Sequence, residues 1–329
     1  MIVLFGIFLL TLLVITAIAI VRTENLFVAV MLLGIFSLLM AANFFLLDAA
    51  DVALTEAAVG AGISTVLFLG ALALTRERER PNGNAKWLSI LVVFTAMLVV
   101  IYATFDKPVF GDPSAPSQQH VATWYLENTP DLVDIPNVVT AVLGSYRAYD
   151  TLGEVFVVFT AGIGVMFLLS VGKGATNGQR RKKKEGDGIG LRNHVIPRVV
   201  GKMLVPFILL FGFYVQFHGE YGPGGGFQAG ALIAAAFILY ALLVGEDRTL
   251  EALPQSALNI LMVGGALLYG AVGLVGMFYG SNFLDYGVLA TNPVTGQHIG
   301  ILLIEAGVGM AVTGVLLSIF HAFAARDEF

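Results

Sequence analysis

The chain has 329 residues, 57% hydrophobic and 12% charged, with a mean hydropathy of +0.84 and a formal net charge of −5. Soluble domains carry about 25% charged residues, so this composition marks an integral membrane protein. The sequence has no cysteine, which excludes disulfides, thiolate metal sites, Cys-ligated iron–sulfur clusters and a Cys-attached haem.

A span needs roughly 20 apolar residues to cross ~30 Å of hydrocarbon. Nine stretches qualify: 2–21, 27–47, 52–75, 87–105, 151–171, 199–217, 227–245, 257–279 and 300–322. They are too long and too uniformly apolar for barrel strands, so the predicted fold is all-α, a polytopic transmembrane helical protein. The stretch 2–21 has no basic leader and no A-x-A site, and is expected to remain as a helix. Placing the loop 76–86 inside puts 16 of the 18 basic residues inside, leaving only Lys107 and Arg147 outside. This predicts an outside N-terminus and an inside C-terminus.

The helices fall into blocks: three over 1–80, two over 81–175 around a long acidic outer loop, a basic inner linker over 176–195, and four over 196–329. The third span opens Asp51-Val-Ala-Leu-Thr-Glu56, which places Glu56 about two turns below the outer surface, ahead of Gly60, Gly62 and Ser64. The outer loop 106–136 carries Asp112, Glu127, Asp131 and Asp134, and 137–148 is predicted to lie flat at the interface. The fifth span opens Arg147-Ala-Tyr-Asp150-Thr-Leu-Gly-Glu154, so the three charged groups share a face if the helix runs through. Arg180-Arg-Lys-Lys-Lys184 in the inner linker is expected to meet anionic lipid heads, with no role in binding nucleic acid.

Between the sixth and seventh spans, His218-Gly-Glu220-Tyr-Gly-Pro223-Gly224-Gly225-Gly226-Phe227 reads as a tight structural turn. His298 and Glu305 are two turns apart in the ninth span, in line with Gly309. His218, Glu220 and His298 are candidates for an outer-side entrance, and a spaced histidine pair is not a ligand set, so no tightly bound metal is expected. Pro206 should kink the sixth span, and His321 reads as an interfacial residue near the inner end. A carboxylate at membrane depth is costly and marks an ion path by default, although each acid also admits a packed, hydrogen-bonded structural role. For Asp150 the alternative is an ion pair that caps the helix start. The candidates gather in the outer half and no comparable chain of charges reaches inward, so partner subunits are expected to complete any path.

Three motifs carry a family resemblance across nearly the whole chain. Asp51-Val-Ala-Leu-Thr-Glu-Ala-Ala-Val-Gly-Ala-Gly62 resembles the MbhD-like region of Mrp-type multisubunit cation/proton antiporters. Asn137-Val-Val-Thr-Ala-Val-Leu with Arg147 and Asp150-Thr-Leu-Gly-Glu154 resembles the MbhE-like region, and Pro223-Gly-Gly-Gly-Phe-Gln228 with His218 resembles the MnhB/MrpB subunit. The resemblance implies a subunit of a complex I-related machine in the prokaryotic cell membrane, partnered by large antiporter-like subunits and transporting Na+ and H+ without a cofactor or bond chemistry. It carries the ion path onto Glu56, Asp150 and Glu154. Asp51, Arg147 and Glu305 join these as candidates on their own placement. The family often has an acid where this chain has Ser145, and a neutral or basic residue where it has Glu220. The competing reading is a structural or assembly subunit, with no ion path of its own, in a hydrogenase, sulfur reductase or inorganic-carbon uptake complex. A membrane enzyme is disfavoured by the missing cysteines and the lack of an H-E-x-x-H or paired haem-ligand pattern.

Overall fold

The computed structural model describes residues 2–75, 78–79, 86–109, 111–170 and 195–325. The basic run at 180–184, and Arg76, Arg80 and Arg326, which entered the orientation argument, lie outside the described residues. Among the described residues the regular structure is helical, with one isolated bridge between Asn25 and Arg78.

Nine described helices are long and apolar enough to span a bilayer. They are α1 (Ile2–Arg22), α2 (Leu26–Leu46), α3 (Ala50–Ala73), α4 (Lys86–Thr104), α7 (Ala148–Ser170), α8 (Val195–His218), α9 (Gly226–Val244), α11 (Gln255–Phe278) and α12 (Pro293–Ala324). Three shorter helices connect them: α5 (Ala122–Leu132), α6 (Val138–Ala141) and α10 (Glu246–Ala252).

The 32-residue α12 is the axis of the bundle, ~48 Å long, with α11, α9 and α7 packed around it. Lipid tails are as apolar as leucine, so these helices gain little from hydrophobic burial against one another and rely on close backbone approach. A Cβ built on Gly265 of α11 would stand 2.4 Å from the Gly307 carbonyl oxygen and 2.5 Å from the Ala311 nitrogen of α12. Helix α3 joins this core through Ile63, 2% exposed, which packs with Ala231, Ala234, Ile238, Leu258 and Leu317. Among the described residues, the window of α4 most suited to a membrane has no buried residue.

The structure amends several expectations. Helix α12 begins at Pro293, ahead of the predicted 300, because Asn292 caps the Val294 amide and Pro293 suits a first helical turn. Polar Gln297 and His298 weaken the hydropathy signal there without breaking the helix. The acidic loop contains α5, whose Thr129 is fully buried and whose Trp124 and Tyr125 rings meet Tyr146. The segment 137–148, expected at the outer interface, packs against the bundle. Thr140 and Ala141 are buried, and Gly144 sits against Ile301. His321, in the last turn of α12, is 5% exposed and packs against protein.

The α11–α12 contact yields the first test. Gly265→Val forces two backbones apart, at a cost of about 1–3 kcal/mol typical of overpacking. The thermal midpoint of the detergent-solubilised protein should fall, and an unchanged midpoint would contradict backbone contact at this position.

Candidate functional site

The site grows from the turn between α8 and α9. The Gly225 amide donates to the Val215 carbonyl at 3.2 Å, folding the turn back on the end of α8. Gly225 has φ +124, a region that favours glycine. Gly226 is required by proximity, since a Cβ there would lie 2.1 Å from the Glu305 carbonyl oxygen. The turn thus sits directly on α12.

Asn137 stitches three elements together. Its Oδ1 accepts from the Val139 amide at 3.0 Å and caps α6. Its Nδ2 donates to the Gly222 carbonyl at 2.9 Å, to that of Gly219 at 3.1 Å and to Asp51 Oδ1 at 3.3 Å. The Gly224 amide also donates to Asp51 Oδ1 at 3.2 Å, and Thr140 Oγ1 donates to Gly219 at 2.7 Å. One residue of α3 is thereby fixed to the glycine turn. A turn further along α3, Gln228 Nε2 donates to Thr55 Oγ1 at 2.8 Å.

The start of α7 is set by a π-helical turn over Val142–Tyr146 and by Arg147, whose φ of −123° breaks the helix. Tyr269, fully buried, donates to the Ala148 carbonyl at 2.7 Å, and Thr151 Oγ1 donates to Leu143 at 2.8 Å. These bonds turn Glu154 toward the same region as Asp51.

The result is a cavity of about 490 Å³ lined by Asp51, Thr55, Glu154, Gln228, Glu305 and the turn glycines 224–226, with apolar walls from Val139, Leu143, Val157 and Val308. Three acids from three different helices converge on it. The Glu305 carboxylate lies over the turn, 3.2 Å from the positions of Cβ atoms built on Gly219 and Gly225. Among the described residues, neither Glu154 nor Glu305 accepts a hydrogen bond, and Glu154 is exposed on the outer wall of the bundle. Among the described residues, no cluster of three His, Asp or Glu side chains is arranged to hold a metal ion.

The other predicted residues lie around this cavity or away from it. His298 Nδ1 is 3.1 Å from Glu220 Oε2, so the unexpected acid in the turn has a partner on α12. His218 stacks on Tyr214, with ring centroids 4.7 Å apart. Pro223 sits exposed beside the turn. Arg147 Nε donates to Asp150 Oδ2 at 2.7 Å, but the two side chains are 62% and 50% exposed and neither lines the cavity. Ser145, where the family often has an acid, donates to Gln297 Oε1 at 2.7 Å.

Glu56 is not brought to this cavity. A Cβ on Gly60 would meet its Oε1 at 2.6 Å and Ser37 Oγ at 2.8 Å, which places the carboxylate between α2 and α3. The cause is helical geometry. Thr55, four residues from Asp51, shares its face, and Glu56 is a further ~100° around. A π-helical stretch over Glu56–Ile63 begins at that point. Sequence reasoning passed over Thr55, Gln228 and Asn137. The i, i+4 spacing of Asp51 and Thr55 was the available signal for the first; the Asn137 bonds join residues more than 80 apart and leave no local trace.

Asn137→Ala removes the α6 cap and three long-range bonds, and should lower stability by about 1–3 kcal/mol. Asn137→Asp retains the cap oxygen but turns a carboxylate oxygen toward the Gly219 and Gly222 carbonyls and Asp51, and should be no more stable than Asn137→Ala in thermal unfolding. Equal midpoints for all three proteins would contradict the stitching role.

The chain matches three families in succession: MbhD, a component of MBH, over residues 11–77; MbhE, a second MBH component, over 89–184; and MnhB, a "domain related to MnhB subunit of Na+/H+ antiporter", over 196–318. Relatives described as antiporter subunit mnhB2 in Staphylococcus aureus strains Newman and USA300 are 40% identical over 130 residues, covering 39% of this chain and 92% of each relative. A chain of the Mrp complex from Dietzia sp. DQ12-45-1b superposes with a TM-score of 0.78 at 26% identity, covering 96% of this chain and 34% of that one. This chain therefore spans about a third of the length of that solved relative. A chain of the membrane-bound sulfane sulfur reductase, an archaeal respiratory membrane complex, gives a TM-score of 0.52 at 28% identity, covering 71% of this chain and 98% of that one. The chain belongs to the Mrp-type antiporter subunit family, as an integral membrane protein that joins MbhD and MbhE regions to an MnhB unit.

Proposed function

We propose that this chain is a membrane subunit of a multisubunit Na+/H+ antiporter and contributes Asp51, Glu154 and Glu305 to its ion path. The observation that carries the reading is the convergence of these three acids, from α3, α7 and α12, on one cavity. Carboxylates are hard oxygen ligands that can exchange a proton for a small cation, and the Thr55 hydroxyl and Gln228 amide add neutral oxygens beside them. Intramembrane acids of this kind mark ion paths. With the N-terminus outside and the C-terminus inside, as the basic residues favour, the cavity belongs to the outer half of the membrane. Glu220 and His298 then stand near its outer approach, and the Arg147–Asp150 pair lies at the exposed rim. Glu56, between α2 and α3, is outside this path.

The exposed position of Glu154 supports an assembled state. A carboxylate facing hydrocarbon costs at least about 2.5 kcal/mol, so another subunit is expected to cover that wall. Other Mrp-type subunits, including large antiporter-like ones, are the proposed partners, and α4 offers a further uncovered face. A second reading follows from the likeness to the sulfane sulfur reductase: the chain serves a related redox-coupled complex as a structural subunit, with its acids held only by packing.

Na+/H+ exchange by membrane vesicles containing the assembled complex separates the two. Glu154→Gln and Glu305→Gln should each lower exchange by an order of magnitude or more with assembly retained, and Glu56→Gln should have the smaller effect. Full exchange by both assembled cavity variants, or loss of assembly without a specific transport defect, would favour the structural reading.

A further inference from the structure

A second titratable pair stands at the opposite end of α12 from the cavity. His321 in the last turn of α12 is 5% exposed, and its Nδ1 lies 3.2 Å from Oε1 of Glu246, which is 24% exposed. Local backbone geometry builds this contact. Helix α9 ends at Gly245, whose φ of +106 reverses the chain and brings the first residue of α10 beneath α12. Thr249, 1% exposed, holds the reversal by donating to the Gly245 carbonyl at 3.0 Å. The Phe320 ring stands edge-on to the imidazole at 5.5 Å.

Among the described residues, α3, α7, α9 and α11 bring no charged side chain to this end. Helix α10 supplies Glu246 and carries Asp247, Arg248 and Glu251, and α8 carries Arg198 and Lys202 toward its N-terminus. An imidazole can take up and release a proton, and here it stands beside a carboxylate in the last turn of a helix.

We propose that His321 and Glu246 form a second proton-binding site of this chain, which serves ion exchange from the membrane side opposite the cavity. In the neutral state His321 donates its Nδ1 proton to Glu246, leaving Nε2 as the basic nitrogen. A proton from solution at that end adds to Nε2, and the product is an imidazolium beside a carboxylate; no other reactant takes part. The pair and Glu305 are separate stations, 16 residues and ~24 Å apart along α12. The i, i+4 row between them is polar at Thr313, whose hydroxyl donates to the Gly230 carbonyl at 3.2 Å, and is closed by Leu317, 1% exposed. The inward side of the exchange therefore has a candidate group within this chain, in addition to any that partners supply.

The role in exchange rests on the function proposed above, so the experiment carries its own control. Na+/H+ exchange is measured in vesicles holding the complete complex, with the pH varied on the α12 C-terminal side, for wild type, His321→Gln, Glu246→Gln and Glu305→Gln. Both pair variants should slow exchange at least about tenfold, and His321→Gln should also flatten the dependence on pH at that side, which a purely structural contact would not do. Wild-type rates and pH profiles in both pair variants, with Glu305→Gln inactive, would overturn this proposal alone. Normal rates in all three would overturn the antiporter reading as well. If His321→Gln fails to assemble, the nearly isosteric Glu246→Gln decides, and failure of both to assemble would make the pair a structural clasp and end the proposal.

Discussion

The approach of α12 to the glycine turn governs the geometry around it. A Cβ at Gly226 would fall 2.1 Å from the Glu305 backbone, so the turn and the helix touch without any side chain between them. That contact brings the Glu305 carboxylate over Gly219 and Gly225 and forms one wall of the cavity. A larger residue at Gly226 would separate the wall from the acid, and Asp51, tied to the Gly224 amide, would move with the turn. Close packing of small residues, the usual basis of helix association in lipid, here also sets where charge is placed.

Polar groups beyond the acids divide by surroundings. Asn137 and Thr140 direct their hydrogen bonds to turn carbonyls, and Tyr269 to Ala148, so these groups hold the frame. Asp51 is partly engaged in the same network. Glu154 and Glu305 are not: among the described residues neither accepts a hydrogen bond, and both line the cavity. Among the described residues Glu154 is exposed and the α4 span has no buried residue, which fits a subunit completed by neighbours.

Much of the fold was legible because the bilayer imposes a simple length rule. The number of spans followed from apolar run length, and the turn at 223–226 from its glycines. Helix ends were less legible where polar residues continue a helix, as Gln297 and His298 do at the start of α12. The helix in the acidic loop was hidden because its stability comes from aromatic contacts among Trp124, Tyr125 and Tyr146, which local composition does not signal. At the site, Glu305 and Glu154 stood out as acids in apolar runs, but depth alone did not separate Asp51 from Glu56. Their different faces follow from 3.6-residue geometry, and the π-helical stretch that starts at Glu56 has no sequence marker. His321 reads as peripheral in the sequence because its partner, Glu246, is 75 residues away.

The central claim is that Asp51, Glu154 and Glu305 share one ion-accessible cavity. The chain has no cysteine, so single cysteines placed at Thr55 or Gln228 report access to that cavity in the assembled complex once partner thiols are removed. The account predicts that a membrane-impermeant thiol reagent modifies both positions from the side of the α8–α9 turn and that Na+ slows the reaction. Failure of both positions to react from either side, in complexes that still exchange Na+ for H+, would contradict it.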